Sequence, residues 1–272
     1  MFADWEFDAG GILKEDPLTP DEREEYESDL IAFCDRELNL LGDVEGLNVL
    51  YAGGASPLWL EGLARRVGPT GYLTALELDP DRVSRAADIL GETDLPIPIR
   101  FAIGDVFAFP FKPRTFDLVY SAGLFHELDT REESAGEALS ALARSVRVGG
   151  RVATGDFIDS VPATQLEDEE IQAEWTRGAL GREFYGIGSP ERLIALHEPV
   201  LEDIRWWISP PYPFRHLDKL VLDEDEPAGF LLLPSAMAER LRERRSALRE
   251  RIAREGYTRP ATLYVEGFVS GD

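Results

Sequence analysis

"NVLYAGGASPLWLEGLARR", residues 48–66, runs from a short apolar β-segment through a glycine pair into a helical pattern. A tight strand-to-helix turn of small residues lets backbone N–H groups approach a ligand closely. Gly53, Gly54, Ala55 and Ser56 supply such a turn. The stretch lacks the G-x-G-x-x-G spacing of a dinucleotide loop, which argues against a nicotinamide dehydrogenase. By itself it fits a cofactor loop and an ordinary βα turn equally.

The same alternation continues on both sides. Helical spacing of Tyr26, Leu30, Phe33, Cys34, Leu38 and Leu41 predicts a helix that Thr19 caps and Gly42 ends. Strands are expected at 47–52, 72–78, 99–105, 115–121 and 151–157, with helices at 58–67, 80–90 and 131–146 and turns at 68–71 and 148–150. Strands alternating with helices imply a parallel sheet covered on both faces, with ligands at the carboxyl ends of its strands. Further on, a helix over 189–199, a strand over 201–209, a long helix over 235–256 and a closing strand over 261–271 are expected. Residues 210–234 are proline-rich and read as loop.

Those strand ends carry chemistry. The second strand reaches Glu77, twenty-four residues after Gly53, where an acid is placed to bind ribose hydroxyls. The third ends in Gly104–Asp105, where an acid can accept from an adenine amine. A small loop followed by two acids at successive strand tips is much less expected by chance than any one of them.

Residues 48–86 and 104–157 together resemble class I S-adenosylmethionine-dependent methyltransferases. "NVLYAGGASPLWLEGLARRVGPTGYLTALELDPDRVSRA" is similar to the family's first two motifs, and "GDVFAFPFKPRTFDLVYSAGLFHEL" to the next two. "LSALARSVRVGGRVATGDF" matches the helix, glycine turn and fifth strand. The flavour is that of the ubiquinone- and menaquinone-biosynthesis branch. The resemblance implies an α/β fold, with a Rossmann-like seven-stranded, mostly parallel sheet, helices on both faces and an antiparallel last strand inserted beside 201–209. It implies S-adenosylmethionine as cofactor. Gly53, Gly54 and Ala55 would pass its methionine part. Glu77 would hold the ribose, Leu78 pack on the adenine and Asp105 take the adenine amine, with backbone contact from Val106. Ser121 and Ala122 would face the methyl group and the acceptor. Tyr51 occupies the position of an acid that helps hold the methionine ammonium, and Ala55 and Pro57 replace glycines. Proline at a first helical turn is acceptable because that N–H has no intrahelical partner.

His126, in "LFHELD", follows the fourth strand and is a candidate base for an oxygen or carbon nucleophile. A histidine that merely orients the next helix stands ahead of that reading. Alignment alone carries much of a methyl transfer, so a base is not obligatory.

The formal net charge is −24, from 52 acids against 28 bases, and only three of those bases are lysine. Such a surface repels nucleic acid and anionic membranes. With one cysteine, Cys34, no internal disulfide or thiolate cluster is available, and His126, His197 and His216 lack metal-ligand spacing. The opening residues lack a signal pattern and no apolar run approaches a membrane span, so a cytoplasmic protein is expected.

The expected organisation is an arm and helix over 1–46, then a methyltransferase domain over 47–272 with an insertion at about 210–257 that caps the pocket. Trp5 and Phe7 mark the arm as a lid or a frayed tail. "SPPYP" (209–213) is placed too late to be an amino-methyltransferase signature; with Trp206 and Trp207 it either lines the pocket or packs. The helix 236–255 holds seven arginines and four glutamates, and reads as an exposed helix laced with ion pairs ahead of a homodimer or partner surface. The function expected is methyl transfer to a small-molecule acceptor by in-line displacement. A macromolecular (RNA or protein) methyltransferase and a non-catalytic cofactor-binding module are the rivals.

Overall fold

The computed structural model describes residues 16–271, so the arm with Trp5 and Phe7 lies outside the described residues. The described residues divide into two compact units, residues 34–158, 185–209 and 262–271 in one and 16–33, 159–184 and 210–261 in the other.

The first unit is the sheet. Strands β1 (Asn48–Ala52), β2 (Tyr72–Glu77), β3 (Ile99–Ile103), β4 (Phe116–Ala122), β5 (Val146–Phe157), β6 (Glu202–Ser209) and β7 (Thr262–Phe268) form one seven-stranded sheet in the order β3-β2-β1-β4-β5-β7-β6. The first five pair in parallel. β7 runs antiparallel between β5 and β6, as the resemblance implied. Val49, Leu50, Tyr51 and Ala52 are all buried, so both faces of the central strand are covered. Helices α2 (Pro57–Val67) and α3 (Pro80–Gly91) pack on β1–β3, while α4 (Ala135–Ser145) packs on β4 and β5. The C-terminal part of α1 (Pro20–Asn39) adds Cys34 and Leu38 to a core that also holds Leu60, Leu63, Leu73, Leu118 and Tyr120. Cys34 is thus a buried small hydrophobe, and burial pushes its thiol up to about 12. Thr19 and Glu22 cap α1 reciprocally, and Gly42 at φ +64° follows its end.

The glycine pair at 149–150 does not break the chain before the fifth strand. β5 already begins at Val146, which pairs with Phe116, and the register then jumps to Leu118 opposite Arg151. The pair therefore forms a bulge inside a long strand, with Gly149 at φ +74°. The helix expected from 131 starts only at Ala135, where Ser134 and Glu137 form a capping box.

In the other unit, α5 (Ala163–Leu180) and α8 (Ser235–Glu255) pack around Ile171, Phe230, Leu241, Leu248 and Ile252. The stretch 210–234, expected as loop, contains α7 (Leu217–Asp223) and a short 3₁₀ turn, Ala228–Leu232. Arg244 of α8 bonds Glu167 at 2.8 Å and Glu174 at 2.7 Å, both on α5. Tyr26 and Phe33 pack at a tilt and edge-on against Phe214, at 6.1 and 5.3 Å between ring centroids. Among the described residues no helix is long and apolar enough to cross a membrane.

Candidate active site

The strand order puts four tips side by side along one edge. Asp105 follows β3, Glu77 ends β2, Gly53 and Gly54 follow β1, and Ser121 and Ala122 end β4. At the usual strand spacing this row spans about 14 Å.

The loop after β1 can be built only with glycine. Gly53 lies at φ +78°, and a Cβ there would stand 2.4 Å from Leu124 Cδ1. Its N–H and that of Gly54 both donate to Leu76 O, at 2.9 and 3.2 Å. A Cβ on Gly54 would meet the Tyr51 ring at 2.9 Å. Ala55 is not among the residues with positive φ, so alanine costs little there. Pro57 opens α2, and Ser56 at the cap makes no side-chain cap hydrogen bond. The first-turn N–H groups of α2 therefore point at the loop without a side-chain acceptor from Ser56.

Tyr51 has a different place from its neighbours in the loop. It is 2% exposed and packs on Tyr120, 5.9 Å between ring centroids. Its hydroxyl has no hydrogen-bond partner among the described residues. Burial raises the phenol's pKa, and the carboxylates of Glu77 and Glu127 add to the shift. Tyr51 props Gly54 from beneath and brings no negative charge to the loop.

Glu77 is buried, and its Oε1 accepts the Asp79 N–H at 3.0 Å, while Leu78 beside it is 64% exposed. An uncovered leucine next to a tethered carboxylate suits an aromatic base above a ribose. Asp105 Oδ1 accepts from Phe107 N at 2.9 Å, and Val106 is buried. Gly104 N donates to Glu77 O at 3.0 Å, tying these two tips together. Ser121 is 1% exposed and its Oγ has no partner. A buried hydroxyl left unpaired is costly unless a ligand satisfies it. The glycine cradle, the exposed Leu78 and the orphaned Ser121 Oγ fit an adenosyl cofactor with an amino-acid arm.

His126 sits in a 3₁₀ turn, Phe125–Glu127, just past β4. Its Nδ1 is 2.6 Å from Asp156 Oδ1, near the end of β5. The Asp156 carboxylate is 3% exposed and also accepts from the backbone N–H groups of Phe125 (2.7 Å), His126 (3.3 Å) and Phe157 (2.8 Å). With the carboxylate as acceptor the ring donates through Nδ1–H, and this bond fixes its orientation. Glu127 Oε1 is 3.7 Å from that nitrogen. Asp156 was not among the residues singled out by sequence. Its signal was an acid inside an apolar strand, one residue before the point where the resemblance ends. Tyr185, Gly186 and Arg192 border the same cleft.

Trp206 and Trp207 stand on the edge strand β6, 50% and 42% exposed, with Trp207 against Tyr264 at 5.5 Å. Among the described residues no group of three or more potential ligands could hold a metal.

Residues 49–150 match the family model described as a methyltransferase domain. Three solved structures share the fold. A candidate sarcosine dimethylglycine methyltransferase from Galdieria sulphuraria is 14% identical, TM-score 0.58, with 91% of this chain and 90% of that one covered. Phosphoethanolamine N-methyltransferase 2 from Haemonchus contortus, crystallised with S-adenosyl-L-methionine, is 15% identical, TM-score 0.58, over 88% of this chain and 52% of that one. A S-adenosylmethionine-dependent methyltransferase from Aquifex aeolicus is 20% identical, TM-score 0.50, over 72% and 93%. Residues 49–150 are thus similar to methyltransferase domains, and the whole chain shares the fold of solved methyltransferases.

Proposed function

We propose that the protein transfers a methyl group to a small-molecule acceptor at the tips of β4 and β5, with His126 as the base. The observation that carries this reading is the 2.6 Å bond between His126 Nδ1 and the buried Asp156 carboxylate. A histidine that only orients a helix needs no buried, fully hydrogen-bonded carboxylate to set its tautomer. The bound cofactor supplies an electrophilic methyl on a sulfonium and leaves as S-adenosylhomocysteine.

The chain's own residues do the rest. Glu77 and Asp105 would hold the ribose and adenine, Leu78 would cover the base, and the N–H groups beyond Gly54 would meet the amino-acid arm. Ser121 Oγ finds its missing partner on the bound molecules. His126 Nε2 takes the acceptor's proton as the nucleophile attacks, and Asp156 stabilises the charged ring that results. The net charge of −24 supports a small acceptor over a nucleic acid. The ubiquinone-like branch rests on motif flavour alone and does not name the acceptor.

His126→Gln and Asp156→Asn test the assignment. With a methylated acceptor in hand, kcat should fall by about 10²–10⁴-fold for His126→Gln. Asp156→Asn should lower it too, while S-adenosylmethionine affinity stays within about twofold in both. Unchanged turnover in His126→Gln would remove the base.

A further inference from the structure

Strand β6 follows helix α6 (Pro190–His197) and forms one outer edge of the sheet, paired with β7 alone. Among the described residues no backbone group bonds to its outer side. Three consecutive large apolar side chains stand open on it: Trp206, Trp207 and Ile208 are 50%, 42% and 48% exposed. Successive residues of a strand point to opposite faces. Trp206 and Ile208 therefore share one face with Ile204, while Trp207 shares the other with Arg205. An added strand would cover both faces; a helix laid on one face would leave the other bare.

Natural edge strands are guarded against pairing by charges, prolines or bulges. The first half of β6 is guarded in this way. It carries Glu202 and Asp203, and its pairing to β7 slips between Glu202 and Arg205, with Asp203 at φ +51°. From Arg205 to Ile208 the pairing is regular, and the one charge is Arg205. Glu266, opposite Arg205 on β7, is bonded instead by Arg151 at 2.8 Å, and Arg205 is exposed. The unguarded half of the edge is thus the half that carries the open tryptophans.

We propose that β6 pairs antiparallel with β6 of a second copy of this chain, about a two-fold axis at Trp206, so that two seven-stranded sheets join edge to edge. The strand is complementary to itself in this register. With Trp206 opposite Trp206, one face sets Ile204 against Ile208 on either side of the tryptophan pair. The other face sets Arg205 of each copy against Trp207 of the other, a cation on an aromatic ring made twice. Glu202 and Asp203 of the two strands fall at opposite ends of the joint, so acids do not meet. A register centred on Arg205 would oppose two arginines. One centred on Ile204 would leave Ile208 uncovered, and one centred on Trp207 would set Arg205 against Ser209. With aromatic side chains burying roughly 150–250 Å² each, the open parts of Trp206, Trp207 and Ile208 amount to about 300 Å² per copy. A standard interface takes about 800 Å² per partner, so the dimer is a reversible one of micromolar strength.

The test is sedimentation velocity of the full chain from about 1 to about 100 µM, at about 0.05 M and about 1 M sodium chloride. Monomer should convert to dimer with concentration, with no larger species. Each copy carries a net charge of −24, so the dimer fraction should rise with salt. Trp206→Lys places like charges at the axis and should weaken dimerisation about tenfold or more, with an unchanged melting temperature where both proteins are monomeric. Leu231→Lys alters a leucine that is 81% exposed in the other unit, and should dimerise as the parent does. The register is read by oxidation. Ile204→Cys combined with Ile208→Cys should give a disulfide-linked dimer, and neither change alone should; Cys34 is buried and does not compete. A monomer at every concentration and salt, open-ended aggregation, a dimer unaffected by Trp206→Lys, or equal cross-linking of the single-cysteine variants would overturn the proposal.

Discussion

Both ring nitrogens of His197 are committed in the core of the sheet unit, Nδ1 to Leu193 O at 2.7 Å and Nε2 to Thr154 Oγ1 at 2.9 Å. Burial lowers its pKa from 6.5 to about 4, because a charged ring there would lose its hydration. An unfolded chain takes up this proton near 6.5 and the folded chain only near 4. The stability held above pH 6.5 is therefore lost as pH falls towards 4, by up to about 3 kcal/mol. Melting curves between those pH values should slope downward, and His197→Gln should flatten that slope while lowering the plateau. An unchanged slope in the variant would place the proton elsewhere. Carboxylates held low by arginine, such as Asp29 beside Arg215, lose their contribution in a lower window. Glu37 and Asp168, raised by burial, act in the opposite sense. At this scale the sequence was uneven. The positions of Glu77 at the end of β2 and Asp105 just past β3 were legible because apolar runs define where those strands stop. Asp156 was not, because its role depends on a turn thirty residues away that only the parallel pairing of β4 and β5 brings close.

The β1–α2 loop is where local backbone chemistry meets the proposed cofactor contact. Gly53→Ala combines an unfavourable φ with a collision at Leu124, and should cost about 1–3 kcal/mol. It should also abolish S-adenosylmethionine binding, even where the variant still melts cooperatively. Tyr51→Phe is the complementary test. Its hydroxyl lacks a protein partner, so the variant should melt at or above the parent temperature and bind the cofactor equally well. A tenfold loss of affinity would mean that the phenol touches the ligand after all. The strands and helices from 47 to 157 were readable because apolar runs of strand length alternate with amphipathic helices. Helix α5 escaped notice because it buries mainly Thr164, Gln165, Ile171 and Thr176, which leave almost no apolar stripe. The bulge at 149–150 was read as a turn because a glycine pair signals both, and only pairing to β4 distinguishes them.

For the whole molecule, charge and fold pull apart. A net charge of −24 opposes compaction, and screening relieves it, so the melting temperature should rise with added salt in the molar range. A temperature that falls on moving from 0.05 M to about 1 M sodium chloride would show that paired charges such as Arg244 with Glu167 and Glu174 outweigh the repulsion. The sheet unit was legible as a whole since its motifs recur in a fixed order along the strands. In the unit made of 159–184 and 210–261 only the long helix α8 was legible; α5 lacks an apolar stripe, and α7 lies in a proline-rich stretch that reads as loop.

The most direct measurement is calorimetric titration of S-adenosylmethionine and S-adenosylhomocysteine into the purified chain, with Glu77→Ala and Asp105→Ala alongside. Saturable binding in the micromolar range is expected, with tenfold or greater loss in each variant, since each removes a carboxylate from the row of strand tips. No binding to the parent chain at low or multimolar salt, or equal binding in both variants, would contradict the cofactor site placed along that row.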